Sequence, residues 1–252
     1  QPEVQAMSTL YLDFGNTRVK CFWRQQFIAL DYAELEPWLR ESACRRELER
    51  VVLASVLSEP EVRRWADDLR QWLAVPVLRC VVTREALGVR CAYADVGRLG
   101  IDRWLAVLAA WSRTGGACVV ADLGTAATVD LVDQSGCHLG GYIISGLELA
   151  VRGLLAGTAN IRPDREGFAD ANPQPGTSTA QAIYHGALAS VVALIHSCQE
   201  QLLKSDPATK LIITGGDAAL VAPHLRCHHE QVQELVFEGM ALLEQAGLLV
   251  NA

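Results

Sequence analysis

A short segment near the start of the chain recurs about half the chain later, and this repeat most constrains the possible folds. Residues 10–17 read Leu-Tyr-Leu-Asp-Phe-Gly-Asn-Thr, and residues 119–126 read Val-Val-Ala-Asp-Leu-Gly-Thr-Ala. Each copy has an apolar strand, an Asp-x-Gly turn followed by Asn or Thr, and then a second strand. The repeat predicts a chain made of two lobes that descend from one unit.

Both turns carry the groups that a phosphate site needs. Gly15 and Gly124 let the backbone approach an anion closely, and exposed N–H groups, with the Asn amide or Thr hydroxyl that follows, can donate to phosphate oxygens. Asp13 and Asp122, at the ends of the strands, can hold a cation, usually through water for magnesium. Two such turns that face each other would hold a polyphosphate from both sides.

An ordinary turn is the competing interpretation of these segments. Asp and Gly are common turn formers, so one copy alone favours a plain turn. The second copy reverses that preference, and residues 214–216, Thr-Gly-Gly after a late strand, add a backbone that fits against a nucleotide base or ribose. A strand-to-helix turn is the alternative for this third element. The sequence has neither the GxxxxGK phosphate loop nor the Rossmann GxGxxG pattern.

The rest of the chain alternates predicted strands with predicted helices, which is typical of the α/β class. Residues 51–54 are a buried strand, and residues 58–73 form a helix with a capping serine, an early proline and acids in its first turn. We predict further helices at 101–113 and 178–204. Residues 157–176, rich in Pro, Gly, Asp and Asn, are the best candidate for a mobile loop.

Composition excludes several classes of function. The 22 Lys and Arg against 29 Asp and Glu give a net charge of −7, so we expect no nucleic-acid partner, which would need a concentrated basic surface. No apolar run approaches bilayer length and no secretory signal is visible, so we expect no membrane partner and a cytoplasmic protein. The eight cysteines show no CxxC spacing, which predicts reduced, mostly buried thiols. Residues 224–229, with one Cys and three His, indicate a polar surface turn, with a zinc site as the less favoured alternative.

The two Asp-x-Gly turns and the late Gly-Gly resemble those of the superfamily that contains actin, sugar kinases and heat-shock chaperone ATPases. More narrowly, the chain resembles the type III pantothenate kinases over nearly its whole length from Met7. The Gly-x-Asp-Arg element at residues 100–103 is the most diagnostic part, because it separates this kinase type from its superfamily relatives. The other residues that carry the resemblance are Asp13–Lys20, Tyr93, Asp122–Ala126, Gly140–Ile143, Thr179 and Thr214–Gly216.

The resemblance implies both a fold and a reaction. The implied fold is α/β, two-lobed and actin-like (ribonuclease H-like), with a duplicated mixed β-sheet core and flanking helices. We expect an N-terminal lobe at residues 7–114 and a C-terminal lobe at residues 115–252. The implied reaction is ATP-dependent phosphorylation of the primary hydroxyl of pantothenate to 4′-phosphopantothenate, the first step of coenzyme A biosynthesis. Type III enzymes are typically homodimers.

The resemblance assigns the pantothenate contacts to Tyr93, Gly100, Ile101, Asp102, Arg103 and Thr179. Asp102 is the candidate general base, and its alternative is an acid that stabilises the first turn of a helix. Arg103 suits the substrate carboxylate, and its alternative is a surface ion pair. For Tyr93 the alternative is a half-buried core residue. Thr179, at the head of a helix, has an ordinary N-cap as its alternative.

The resemblance assigns the nucleotide to the first turn, through Asp13, Phe14, Gly15, Asn16, Thr17, Arg18, Val19 and Lys20. Asn16 and Thr17 would contact phosphates, and Lys20 would face developing negative charge. Thr125 resembles a further ATP contact. Asp122 resembles the family ligand for a monovalent cation, potassium or ammonium, which these enzymes require beside magnesium. The cation preference rests on the resemblance alone.

Two departures from the family pattern are visible. The family commonly reads Gly-Gly-x-Ile-x-Pro-Gly, whereas this chain has Ser145 before Gly146, which leaves the shape of that turn open. Residues 157–163 lack the Leu-Pro often seen after Thr-Ala. The second change could alter a lid or a wall of the substrate site.

The sequence leaves open two rival functions and the role of one helix face. Another kinase of the superfamily, acting on a sugar or forming an acyl phosphate, would usually be longer and lack Gly-x-Asp-Arg. A non-catalytic regulator with a kinase fold would be expected to have lost Asp102 or Asp122, and both are present. The helix at 178–204 could supply a dimer interface or face the monomer core, and periodicity does not choose. The residues in question are Ala187, Val191, Leu194 and Ile195.

Overall fold

The computed structural model describes residues 8–42, 47–158, 161, 163 and 167–252. In chain order its strands are β1 (Thr9–Phe14), β2 (Val19–Trp23), β3 (Gln26–Leu30), β4 (Arg50–Ser55), β5 (Val77–Arg79), β6 (Glu85–Ala86), β7 (Val89–Arg90), β8 (Cys118–Leu123), β9 (Ala126–Val132), β10 (His138–Ser145), β11 (Lys210–Thr214), β12 (His229–Gln231) and β13 (Val250–Asn251). Its helices are α1 (Leu35–Glu41), α2 (Glu59–Leu73), α3 (Ile101–Thr114), α4 (Leu147–Gly157), α5 (Thr179–Leu203), α6 (Ala218–Val221) and α7 (Leu235–Gln245).

The described residues form two compact units. The first comprises those up to Leu87, together with Tyr93–Ala109 and Glu234–Ala252. The second comprises Gly88–Ala92 and Ala110–Gln233. The lobe boundary expected between residues 114 and 115 stays a prediction.

The first unit contains a six-stranded sheet with the strand order β13-β5-β4-β1-β2-β3. All six residues of β1 are buried, and β1 pairs antiparallel with β2 on one side and parallel with β4 on the other. A strand that is buried on both faces must have helices or other elements packed against each face of its sheet. Helices α1 and α2 join the apolar cluster of this unit through Leu39 and Leu69, which lie in one core with Leu12 of β1.

The C-terminal helix α7 is joined to the first unit by a partly buried polar contact. Glu244 of α7 accepts hydrogen bonds from Thr9 Oγ1, at 3.1 Å, and from the hydroxyl of Tyr11. Its carboxylate also pairs with Arg50 Nη1 at 3.3 Å. Burial, together with the Glu244 contact, raises the pKa of the Tyr11 phenol well above its usual range. One carboxylate therefore ties α7 to both β1 and β4.

The second unit contains a five-stranded sheet with the strand order β10-β9-β8-β11-β12. Its central strand β8 pairs antiparallel with β9 and parallel with β11, which is the arrangement of partners found around β1. One apolar cluster joins Val119 of β8 to Leu188 of α5 and Val221 of α6. The prediction of an α/β fold with a duplicated mixed sheet and flanking helices is confirmed.

The long helix α5 packs inside its own unit. Val191 and Ile195 are 2% and 0% exposed and lie in the apolar cluster of the second unit. Ala187 and Leu194 are partly buried against the same cluster. Val191 and Ile195 are therefore core residues and not part of a dimer interface, whereas for the partly buried Ala187 and Leu194 the choice between the two stays open.

The helices predicted at 58–73, 101–113 and 178–204 agree with the structure to within one residue at each end. α2 starts after Ser58, which forms a capping box with Glu61. α3 and α5 cover the predicted ranges 101–113 and 178–204 almost completely. The predicted loop at 157–176 follows α4, and its residues 159–160, 162 and 164–166 lie outside the described residues.

The remaining expectations concern thiols, membranes and metals. Cys80, Cys118 and Cys198 are buried thiols, as predicted, and burial raises the pKa of Cys118 to about 11. In the described part of the chain, no helix combines the length and the apolar run that a bilayer crossing demands. Over the same residues, no group of three or more His, Cys, Asp or Glu side chains is arranged to hold a metal ion. The polar segment at 224–229 leads into β12, which pairs in parallel with β11.

Candidate active site

The first Asp-x-Gly turn closes the β1–β2 hairpin. Gly15 N donates to the carbonyl of Arg18 at 3.1 Å, and Asn16 and Thr17 are exposed at the tip. Asp13 is buried at the end of β1 opposite Lys20, whose Nζ lies 3.6 Å from Asp13 Oδ2. The hairpin thus presents amide and hydroxyl groups to solvent while the sheet holds the carboxylate beside a cation.

Other residues of this turn have structural partners. The side chains of Phe14 and Val19 are 1% and 0% exposed in the core, so they could meet a nucleotide through backbone atoms alone. Arg18 pairs with Asp31 at 3.3 Å, and both side chains are largely exposed. A pair of this kind contributes little to stability.

Tyr32 supports the first turn, and the sequence patterns do not indicate this residue. Its hydroxyl donates to the carbonyl of Gly15. Its ring lies in an aromatic cluster with Phe14 and Trp65, at centroid distances of 6.2 and 5.7 Å. Burial, together with the Asp13 carboxylate, raises the pKa of Tyr32 to about 12, so the phenol stays a donor at physiological pH.

The Gly-x-Asp-Arg element forms the start of α3. Asp102 Oδ1 accepts a hydrogen bond from the backbone N of Arg103 at 2.8 Å, which orients the carboxylate. A Cβ added at Gly100 would lie 2.6 Å from this oxygen, so a side chain at residue 100 would displace the carboxylate. Trp104 N donates to the carbonyl of Gly100 at 3.1 Å and begins the helical hydrogen bonds. The glycine and the acid are therefore spatially linked, as well as adjacent in sequence.

Arg103 and Tyr93 are brought together by this helix start. Arg103 is 5% exposed, so the surface ion pair considered for it is wrong. Its Nη1 donates to the hydroxyl of Tyr93 at 2.9 Å, and its guanidinium carbon lies 5.8 Å from the ring centroid. Tyr93 is half-buried. A further arginine, Arg84, donates to the carbonyls of Tyr93 and Ala94, and the sequence patterns do not indicate it.

The second Asp-x-Gly turn closes the β8–β9 hairpin. Gly124 N donates to the carbonyl of Ala126 at 3.1 Å, and Thr125 is exposed at the tip. Asp122 is half-buried and lies opposite Thr128 on β9 and Thr214 on β11. The second turn therefore has an exposed tip and a strand-end carboxylate, as the first does, but its closing bond spans two residues where that of the first spans three.

The Thr-Gly-Gly segment after β11 lies against the second turn. Gly215 has a φ of +94°, and a Cβ there would lie 2.4 Å from the carbonyl oxygen of Leu123 and 2.6 Å from Asp122 Oδ1. A side chain is excluded both by the backbone conformation and by this approach. A Cβ at Gly216 would face open space instead. The two glycines therefore have different roles, one as a close contact and one as an open backbone face.

The family departure at Ser145 leaves the second turn intact. Ser145 pairs with Ala126 at the end of β10, and Gly146 N donates to the carbonyl of Thr125 at 3.0 Å before α4 begins. The turn closes without the proline that the family commonly has. In the other departure, Asn160 and Arg162 lie outside the described residues.

Asp217, which the sequence patterns do not indicate, joins three segments around the second turn. Its backbone N donates to the carbonyl of Leu123 at 2.9 Å, and its carboxylate accepts from the backbone N of Leu147 at the start of α4. Burial raises the pKa of Asp217, as does the nearby Glu148, while the Leu147 hydrogen bond opposes the shift.

Thr179 is the first residue of α5 and is exposed. The N-cap is Ser178, whose Oγ accepts from the backbone N of Gln181 at 3.2 Å. The N-cap alternative for Thr179 is therefore wrong, because its neighbour caps the helix.

Comparison with known proteins adds to this geometry. The family model described as type III pantothenate kinase matches residues 9–201. A Chromohalobacter salexigens protein described as type III pantothenate kinase is 38% identical, over 96% of this chain and 91% of that protein.

Two solved structures are similar to this one. A Campylobacter jejuni protein described as a Baf family transcriptional activator has a TM-score of 0.63 and 20% identity, over 94% of this chain and 98% of that chain. A Sinorhizobium meliloti protein described as a candidate 2-dehydro-3-deoxygalactonokinase has a TM-score of 0.51 and 13% identity, over 94% and 99%. At such identities they show the fold alone. The family match and the relative at 38% identity confirm the resemblance seen in the motifs, and the chain belongs to the type III pantothenate kinase family.

Proposed function

We propose that this chain transfers the γ-phosphoryl group of ATP to the primary hydroxyl of pantothenate and so makes 4′-phosphopantothenate, the first step of coenzyme A biosynthesis. Membership of the type III pantothenate kinase family supports this reaction. The structural observation that carries it is the Gly100–Arg103 element, in which Asp102 is oriented by a backbone N–H and Arg103 is joined to Tyr93. A cytoplasmic setting fits the buried thiols, which stay reduced there.

Asp102 is the proposed general base. The hydroxyl oxygen of pantothenate forms a bond to the γ-phosphorus, the bond from that phosphorus to the β–γ bridging oxygen breaks, and the hydroxyl proton passes to the Asp102 carboxylate. ADP leaves with the electron pair of the broken bond. This role requires the carboxylate within about 3 Å of the hydroxyl, directly or through one water. The hydrogen bond from Arg103 N supports the role because it orients the carboxylate before the substrate binds.

Arg103, Tyr93 and Thr179 are the proposed pantothenate contacts, with Gly100 and Ile101 as the backbone beside them. A guanidinium matches a carboxylate through two parallel hydrogen bonds, and the bond to the Tyr93 hydroxyl holds the Arg103 side chain in one orientation. Thr179 presents a hydroxyl on the surface, with the capping role taken by Ser178.

The proposed ATP contacts are the first glycine turn in the first unit and, in the second unit, the second glycine turn with the Thr214–Gly216 segment. Asn16, Thr17 and Thr125 are exposed at the turn tips and can donate to phosphate oxygens. Lys20, beside Asp13, would offset the negative charge that develops on the transferred group. The open backbone face at Gly216 would lie against the base or ribose.

Magnesium and a monovalent cation, potassium or ammonium, belong to the proposal. Asp13 would hold magnesium through water, and the ion would neutralise charge on the phosphates. For the monovalent cation, Asp122 Oδ1 and the Leu123 carbonyl oxygen, which both lie beside Gly215, would supply two oxygen ligands. Carboxylate and carbonyl oxygens are the ligands that hard cations prefer.

A homodimer also belongs to the proposal. β10 lies at the edge of its sheet, and its side chains Leu139, Tyr142 and Ile143 are 49%, 48% and 63% exposed. Leu149 and Leu154 of α4 are exposed as well. An edge strand with exposed apolar side chains is a surface that another chain commonly covers. A second copy of this chain is the occupant that the family resemblance predicts.

An assay of ADP release tests the proposed function. With ATP, magnesium and potassium present, we expect release that depends on pantothenate and not on sugars. Asp102→Asn keeps the side-chain size and an acceptor for Arg103 N, so we expect an unchanged Tm and a kcat lower by a factor of about 10²–10⁴. Turnover with sugars alone would indicate another kinase of the superfamily. The absence of turnover with every acceptor would indicate a non-catalytic protein, and either result would overturn the proposal.

A further inference from the structure

Arg84 binds the backbone that leads to the proposed pantothenate contacts. Its Nη1 donates to the carbonyl oxygen of Tyr93 and its Nη2 to that of Ala94, both at 2.6 Å. These are short distances even for a charged donor. Arg84 itself is exposed and lies directly before β6. Its guanidinium therefore spans ten residues of sequence to hold two successive peptide groups.

The two bonds require a particular shape of the backbone. Neighbouring carbonyls of an extended chain point to opposite sides, so one planar guanidinium reaches two successive carbonyls where the chain bends. The backbone bends at Ala94 and Asp95. It then enters a helical turn at Val96–Arg98, where Asp95 Oδ1 accepts from Gly97 N at 3.1 Å. Arg84 fixes the beginning of this segment, and the start of α3 fixes its end.

The segment held in this way sets the position of the Tyr93 side chain. A tyrosine has two rotatable side-chain bonds, so the position of its hydroxyl depends strongly on the position of its backbone. That hydroxyl accepts a hydrogen bond from Arg103 Nη1 at 2.9 Å. Arg84, Tyr93 and Arg103 thus form one connected chain, which runs from an exposed guanidinium to a buried one.

We propose that Arg84 is a positioning residue for the pantothenate site, which holds the Tyr93–Ala94 backbone so that the Tyr93 phenol and the Arg103 guanidinium are paired before the substrate arrives. The proposal rests on the proposed function and adds a residue to the same site. Water can satisfy carbonyls on an exposed segment, so the guanidinium contributes conformational order more than stability. Without it, substrate binding must order the segment, and the loss falls on the KM for pantothenate.

Steady-state kinetics of Arg84→Gln, beside the wild type, test this role. We expect the KM for pantothenate to rise about tenfold, because two charge-assisted hydrogen bonds are lost. The kcat, the KM for ATP and the Tm should stay close to the wild type. Arg84→Lys keeps the charge and can reach one of the two carbonyls, so its KM should lie between the other two. Arg40→Gln removes an exposed arginine that pairs with Glu36 on α1, and this matched control should change nothing.

The possible failures can be told apart. An active wild type with an unchanged KM in Arg84→Gln would overturn the role of Arg84 alone. A lower Tm with a similar loss in kcat and in both KM values would show that Arg84 only stabilises the fold, and would also overturn it. A wild type without pantothenate-dependent turnover would overturn the proposed function, and the role of Arg84 with it.

Discussion

Asp217 is a residue whose ionisation affects the stability of the second unit. Burial raises the pKa of its carboxyl, and the nearby Glu148 adds to the shift. A carboxyl whose pKa is higher in the folded state contributes stability that is complete below the unfolded pKa and is lost as the pH rises through the folded pKa. Asp133 has the opposite sign. Burial raises its pKa, but the hydrogen bonds from Ser135 and Cys137 outweigh that effect and lower it overall.

We expect Asp217→Asn and Asp133→Asn to change stability in opposite directions at pH 8. The amide at residue 217 keeps an acceptor for Leu147 N and removes a partly buried charge, so its Tm should exceed that of the wild type. The amide at residue 133 loses a charge that its donors stabilise, so its Tm should be lower. The difference for Asp217→Asn should shrink as the pH falls towards 4, because the raised pKa lets the wild-type carboxyl take up a proton there. The difference for Asp133→Asn should persist at pH 4 and shrink only at lower pH, because the pKa of that carboxyl is lowered. Thermal unfolding across this range measures them, and shifts of the same sign in both variants would contradict the assignment.

Single residues differ in how far the sequence reveals them. Asp102, Arg103 and Tyr93 stand out because their order and spacing resemble a family motif, and the structure joins Arg103 to Tyr93. Arg84 and Asp217 leave no such signal. Each bonds to main-chain groups, which every residue carries, so no partner residue type marks the contact in the sequence.

At the scale of elements, the turn after β11 offers a paired test with two adjacent glycines. Gly215→Ala would place a methyl 2.4 Å from the carbonyl oxygen of Leu123 at a φ of +94°. We expect it to lower the free energy of unfolding by about 2–3 kcal/mol, the cost of a strained backbone with a steric overlap. Denaturant unfolding measures this change. An unfolding midpoint equal to that of the wild type would contradict the close approach of residue 215 to the Leu123 carbonyl.

Gly216→Ala is the matched variant, because its methyl faces open space. We expect this variant to be as stable as the wild type. Its KM for ATP should be about tenfold higher, since the methyl would separate the nucleotide from the backbone. Kinetics with varied ATP and saturating pantothenate measure this. An unchanged KM for ATP would argue against a nucleotide on this turn.

The helices and strands follow from local signals more readily than their partners do. The start of α2 is predicted by its capping box, because a serine and an acid three residues later satisfy each other's backbone donors. The buried face of α5 is not predictable from periodicity, because apolar residues cover most of its circumference. The hydrogen bond from Thr9 to Glu244 joins residues near opposite ends of the chain. No periodic pattern in the sequence indicates a contact between residues so far apart.

At the scale of the whole molecule, we expect a dimer of twice 27.4 kDa in solution. Ile143→Lys should shift it to the monomer, because a charge at the proposed centre of the β10 surface would have to be buried without a partner. Leu220→Lys, at a residue of α6 that is 41% exposed, is the control and should stay dimeric. Light scattering after gel filtration measures both. A monomeric wild type, or an Ile143→Lys dimer, would rule out this interface.

The return of α7 to the first unit determines the order of events during synthesis. A ribosome releases a chain from its N-terminus, so every residue of the second unit leaves the exit tunnel before Glu244 does. The second unit can therefore begin to form its core before α7 is available to the first. β1 is made among the earliest residues, yet its Thr9 and Tyr11 obtain their hydrogen-bond acceptor only when Glu244 has been made.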